Sequence, residues 1–168
     1  SASAAVKSSP LGGNEGGQLL EQYDQLLADK AVNEQRQQLL IKDEQALMPW
    51  GDFDPASVER LVKAGYDINF FACAPRLYKE EWESEYNAIV INQDKSKVYF
   101  ITVTAPGTEI SIEAEMCRLP QSSLGNVVAE LEALKTGNAA IGQKIAASAA
   151  NHLADLKAAH EALQSEIS

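Results

Sequence analysis

Cysteine is almost missing from this chain: 168 residues carry two, Cys73 and Cys117, lying 44 positions apart and without a CxxC spacing. That rules out a disulfide framework and a cysteine-ligated zinc site, and leaves reduced thiols in a cytoplasmic setting as the expectation. Histidine is as scarce, with only His152 and His160. Neither GxxxxGK(S/T) nor GxGxxG occurs, so no phosphate cradle is written into the sequence. No apolar run approaches the roughly 18 residues that cross a bilayer, and no basic-then-apolar segment opens the chain as a secretory signal would. Basic residues are outnumbered: 14 Lys and Arg stand against 24 Asp and Glu, for a net charge of −10. Such a balance disfavours a nucleic-acid backbone or an anionic membrane surface and suits a basic partner.

What is present falls into four segments. Residues 1–17 hold four glycines and a proline among small and polar types, a composition that buries too little to offset its ordering entropy. They read as a disordered linker or cloning remnant, and the chain as a piece of a longer protein. Residues 18–48 contain no Gly or Pro and are filled with helix formers, predicting a long helix. Leu20, Leu27, Ile41 and Met48 follow a seven-residue repeat broken at Glu34, widened by Leu19, Tyr23, Leu26 and Leu40. Lys30, Asn33 and Gln37 thin that stripe, so it suits pairing with one other helix.

Residues 49–120 read as a small α/β lobe. Pro49 ends the helix, and Trp50-Gly51 makes a turn whose indole needs burial. Asp54 is the expected N-cap and Pro55 the first residue of a short helix bearing Val58, Leu61 and Val62, with Gly65 as its stop. Asp67–Ala74 reads as a buried strand, and Arg76–Glu83 as one or two helical turns. Ala88–Asn92 and Val98–Thr104, around a polar turn, predict a β-hairpin. Ile110, Ile112, Ala114 and Met116 alternate with polar residues as a fourth strand would. Residues 121–168 return to helical composition, with Ser122 or Ser123 as N-cap. Their stripe runs through Leu124, Val128, Leu131, Ile145, Ala149, Leu153, Leu156, His160, Leu163 and Ile167, and Gly137 and Gly142 allow a bend or a close helix approach. The expected fold is α+β: a mixed lobe of about four strands and one or two short helices, at the tip of a long antiparallel two-helix coiled-coil hairpin.

Chemistry finds few candidates. His152 and His160 need further ligands, such as Asp155 or Glu161, to hold a metal. Turn and capping duties account for Asp52 and Asp54 better than acid–base work does. The cysteines lack a nearby His and read as structural thiols, and Glu80, Glu81, Glu83 and Glu85 around Trp82 read as a solvated helix face ahead of a docking patch for basic partners. No catalytic, cofactor-binding or metal-ligating residue is expected, and no cofactor.

Taken together, the long helix, Pro49-Trp50-Gly51-Asp52-Phe53-Asp54-Pro55, the helix ending at Gly65, the aromatic strand with Phe70-Phe71, and Glu113–Pro120 before a second long helix resemble the cytoplasmic region of subunit I of V-type rotary ATPases. That stator subunit is the equivalent of subunit a in the eukaryotic enzymes, and the likeness runs from about Gln18 to the end of the chain. The resemblance implies a non-catalytic, non-rotating arm on the cytoplasmic face of a membrane. It would join the membrane sector of a proton- or sodium-translocating ATPase or ATP synthase to the peripheral-stalk subunits E and G. The family's arm has two lobes joined by long helices, and only the distal lobe is matched here. The proximal lobe's strand and every transmembrane helix are missing, so the ion-translocating residues have no counterpart. Trp50, Phe53, Tyr78 and Trp82 are the candidate docking residues for the stalk. The alternatives are a self-standing coiled-coil adaptor or dimerisation module and, below it, a small ligand-binding α/β domain.

Overall fold

A computed structural model describes residues 13–167, with side chains described from 17 to 164. The chain divides into two compact units, one from Ser1–Gln38 and Leu131–Ser168, the other Leu39–Glu130. In order, the elements are α1 (Gly13–Leu47), a 3-10 turn (Met48–Trp50), α2 (Pro55–Lys63), β1 (Asp67–Cys73), a second 3-10 turn (Pro75–Leu77), α3 (Glu81–Tyr86), β2 (Ile89–Gln93), β3 (Val98–Thr104), β4 (Glu115–Cys117) and α4 (Leu124–Ile167). The fold is mixed α+β, with four α-helices among the described residues and one antiparallel sheet.

The unit Leu39–Glu130 is built on a four-stranded sheet of order β2-β3-β1-β4. β1 and β3 pair along their whole length, from Asp67 opposite Thr104 to Cys73 opposite Val98. Along β3, Val98, Phe100, Thr102 and Thr104 are buried while Tyr99, Ile101 and Val103 are half-buried, the period of two that a sheet covered unequally on its faces imposes. On the Phe100 face a cluster forms from Phe71, Cys73, Trp82, Ala88, Val98 and Phe100. Trp82 and Phe71 both stack on Phe100, with centroids 5.5 and 5.4 Å away. Wholly burying a side chain like Phe100 contributes about 1.5–3 kcal/mol.

The hairpin expected between residues 88 and 104 forms, with a bulge between Val90 and Asn92. Its turn is fastened by Asp94, whose Oδ1 accepts from Ser96 N at 2.7 Å, Ser96 Oγ at 2.8 Å and Lys97 N at 2.8 Å. Those donors hold the Asp94 carboxyl below its ordinary pKa, the Ser96 hydroxyl first among them. α2 begins as anticipated, with Asp54 accepting from Ala56 N at 3.0 Å and Pro55 following. It ends in a Schellman motif: Tyr66 N donates to Leu61 O and Gly65 N to Val62 O, with Gly65 at φ +99°.

Five expectations need correction. The linker expected over 1–17 lies outside the described residues as far as residue 12, but Gly13–Gly17 is helical: once a helix exists, each further residue adds a hydrogen bond without a new nucleus. The turns expected over Arg76–Glu83 become a 3-10 turn followed by a helix starting only at Glu81, because Pro75 and the extended Tyr78 interrupt. The fourth strand shrinks to Glu115–Cys117. Ile110, Ile112 and Ala114 do pack on the Phe100 cluster as their alternation implied, but their backbone joins no ladder, and Met116 at the sheet edge is 56% exposed.

The fourth correction concerns α1. The Leu20, Leu27, Met48 repeat faces solvent, at 56, 43 and 61% exposure. The covered positions lie one residue earlier: Leu19, Tyr23, Leu26, Lys30, Asn33 and Gln37 are half-buried, at alternating spacings of four and three, and in the other unit Leu40 and Leu47 are buried. Taken every seven residues, the expected series 20, 27, 34, 41, 48 and the covered series 19, 26, 33, 40, 47 each contain one polar break, Glu34 or Asn33. Covering a neutral amide costs less than covering a carboxylate, and Glu34 instead reaches Lys30 at 3.7 Å on the surface. On α4 the covered residues include Leu131, Leu134, Asn138, Ile141, Ile145, Ser148 and His152, again alternating by four and three. The two helices are joined within their unit by Asn138 Nδ2 donating to Gln37 Oε1 at 3.2 Å. The fifth correction follows on α4: the stripe expected to continue the seam through Leu153, Leu156, His160 and Leu163 is uncovered, because every residue from Leu153 to Gln164 is exposed, and Val128 is 39% exposed.

Candidate functional site

The segment Pro49–Pro55 forms the corner from which the most consequential contacts of the Leu39–Glu130 unit radiate. The Trp50 indole is buried and meets Phe70 and Tyr99 edge-on, at 5.0 and 5.6 Å between centroids. Gly51 turns the chain at φ +81°, a conformation in which a side chain would be strained. The Pro49 carbonyl accepts from Asn92 Nδ2 at 2.9 Å, tying the corner to the edge strand.

Asp52 and Asp54 divide the work of starting helices. Asp54 caps α2 locally. Asp52 reaches across 73 positions of sequence to accept from Gly125 N at 3.0 Å, in the first turn of α4, beside the local cap in which Ser123 Oγ accepts from Asn126 N. A carboxylate at a helix N-terminus satisfies an orphan amide and complements the helix dipole. A Cβ at position 125 would stand 2.9 Å from Asp52 Oδ2, so any larger residue there would push the carboxylate aside.

Beside the corner lies an open groove of about 820 Å³. Its apolar lining comes from Phe53, Val58, Val62, Phe70 and Leu119. Phe53 and Phe70 stack at 6.0 Å within it. Its charged residues are Asp52, Asp54 and Glu59, and no Lys, Arg or His lines it.

The four docking candidates do not share a patch. Trp50 and Phe53 meet Phe70 on one face of the sheet, while Tyr78 and Trp82 meet Phe100 on the other. Trp50 and Trp82 are buried, with 6 and 4% exposure, and Phe53 and Tyr78 are half-buried. Tyr78 donates its hydroxyl to Glu83 at 3.3 Å. Burial, followed by the Glu83 charge, pushes its pKa up to about 12, so it remains a neutral phenol at any physiological pH. Burial likewise raises the thiols of Cys73 and Cys117, which makes both poor nucleophiles.

His152 lies on the covered stripe of α4, its Nδ1 buried without a hydrogen-bond partner, whereas His160 is exposed. Among the described residues no three His, Cys, Asp or Glu side chains come together as metal ligands, and no helix is long and apolar enough to cross a membrane. Sequence reasoning found the Trp50 turn and the Asp54 cap but missed the Asp52–Gly125 contact, for which no local pattern exists. Comparison with family models, curated proteins and solved structures found no match.

Proposed function

We propose that this chain is the distal-lobe region of the stator subunit of a V-type rotary ATPase, the subunit I type. In that role it links the membrane sector, on its cytoplasmic face, to the peripheral-stalk subunits E and G. The observation that carries the reading is the placement of the Pro49–Pro55 segment, the most specific part of the resemblance. Its residues fasten both chain ends of the lobe: Trp50 anchors the segment that follows α1, and Asp52 holds the first turn of α4. A stator must pass load between its helices and its lobe without yielding, and such fastening serves load rather than chemistry. The reading assigns the chain no catalytic step and no cofactor.

The finer architecture belongs to the same proposal. α1 and α4 form an antiparallel two-helix hairpin, supported by their alternating four-and-three covered stripes and by the Asn138–Gln37 hydrogen bond. A rotary motor needs a stationary tie between membrane sector and catalytic head, since torque would otherwise turn both. The test is association of the 168-residue chain with a purified E–G heterodimer, followed by sedimentation. A complex at concentrations of about tens of micromolar is expected, in the range of a small, weak interface; no complex at that concentration counts against the stator reading.

A second reading is favoured by one observation. Leu153, Leu156 and Leu163 leave 64, 41 and 57% of their surfaces exposed on α4, as a helix would that pairs with another chain. That describes the coiled-coil adaptor, and oligomeric state separates the two.

A further inference from the structure

α2 combines a segregated apolar stripe with the lack of any fully buried residue. Val58 is half-buried, and Leu61 and Val62 are 43 and 52% exposed, so the helix has no buried residue at all. An amphipathic helix in a folded unit ordinarily spends such a stripe on its own core. Here Val58 and Val62, one turn apart, instead form one wall of the open groove, with the Phe53–Phe70 stack and Leu119 as its other apolar surfaces.

The groove's charge has a single sign. Asp52 and Asp54 each commit one oxygen to a backbone amide, and the N-terminal ends of α4 and α2 partly offset them. Glu59 lies a turn further along α2, is exposed, and carries no such offset. An anionic ligand would have to approach three carboxylates with no cation lining the site, so the two helix N-termini do not make this an anion site. An uncharged ligand would leave the three carboxylates at the groove without a partner of opposite charge. An apolar surface edged with positive charge matches both the apolar lining and the sign of the charge.

We infer that the groove between α2 and the Leu119–Asn126 segment docks an amphipathic helix of another protein, one whose apolar face is flanked by Lys or Arg. Apolar side chains of that helix lie on Val58, Val62 and Phe53, and its cations meet Glu59 and the outer edge of the Asp52–Asp54 corner. This deepens the stator reading by giving the lobe a docking face, and rests on that reading only for the identity of the partner.

The probe is a synthetic amphipathic peptide of about 20 residues, roughly 30 Å when helical, with Leu on one face and Lys beside it. Its twin carries Glu in place of Lys. Anisotropy titrations against the whole chain are expected to give binding of the Lys peptide only, weakening as salt rises from about 50 to about 500 mM. Amide shifts should centre on Val58, Glu59, Val62 and Asn126. Glu59→Lys and Val62→Asp, both at exposed positions, should each weaken binding about tenfold or more, while Glu113→Lys, exposed and outside the groove, should not. Circular dichroism checks that the variants keep the fold. Equal binding of both peptides, binding of neither, equal loss with Glu113→Lys, or shifts centred on β2 each overturn the inference. The E–G heterodimer titrated against the same variants separates the two proposals: a complex indifferent to Glu59→Lys and Val62→Asp overturns the groove and leaves the stator reading standing. Peptide binding in the groove without any E–G complex does the reverse.

Discussion

Thr102 occupies the middle of β3 with no exposed surface, and its hydroxyl has no hydrogen-bond partner; the Thr104 hydroxyl is in the same state. The neighbouring polar side chains behave otherwise. Asp54, Ser123 and Asp94 are all exposed or half-buried, and each satisfies backbone amides that a turn or helix start leaves open. Thr102 therefore contributes to the fold through its β-branched shape, which suits a strand, while its oxygen costs desolvation without return. Thr102→Val keeps the shape and removes the oxygen. It is expected to stabilise the protein by about 1–2 kcal/mol, raising the urea midpoint with an unchanged slope. A fall in the midpoint would mean that the hydroxyl finds a partner the fold does not reveal.

Among the elements, α4 is the one whose details run most against its composition. It is a single helix from Leu124 to Ile167 in spite of glycines at 137 and 142. Neither glycine is there for a close approach, since a Cβ at either position would meet nothing within 4 Å. Gly137→Ala and Gly142→Ala are thus each expected to stabilise the helix by up to about 1 kcal/mol, read as higher thermal midpoints and slower amide exchange over the surrounding turns. Destabilisation by either would show that the seam closes more tightly around it. Legibility in the sequence followed the range of the interactions involved. The hairpin, the α2 cap and the Gly65 stop rest on contacts within a few residues, and they were readable. The register of α1 was half readable: Leu19, Tyr23, Leu26 and Leu40 widened the expected stripe and are covered, but Leu40 and Leu47 are buried within the Leu39–Glu130 unit, and counting apolar residues does not weigh the lower cost of covering Asn33 against Glu34. β4 was half readable: alternation correctly marked Ile110, Ile112 and Ala114 as inward-facing, but the ladder with β1 depends on partners distant in sequence. In the candidate site, the buried indole of Trp50 followed from its size alone, whereas the groove arises where α2 and the 119–126 segment come together.

At the scale of the molecule, the decisive question is whether the exposed leucines of α4 join two copies of the chain. Leu153, Leu156 and Leu163 cover about three helical turns, and His160 and Lys157 interrupt them. Pairing of two such segments would rest on an apolar stripe shorter than the three or four heptads that sustain a coiled coil. Two copies would also bring together net charges of −10 each, a repulsion strongest at low salt. The covered stripe points the same way. Asn138 Nδ2 donates to Gln37 Oε1 inside a single chain, and a polar pair of that kind fixes which helices pair and in what register. Light scattering at low salt is therefore expected to return a monomer of about 18.2 kDa, and Leu156→Glu should leave that mass unchanged. Twice the mass, reverting to the monomer on Leu156→Glu, would transfer the α4 stripe to an interface between copies and favour the adaptor over the stator arm.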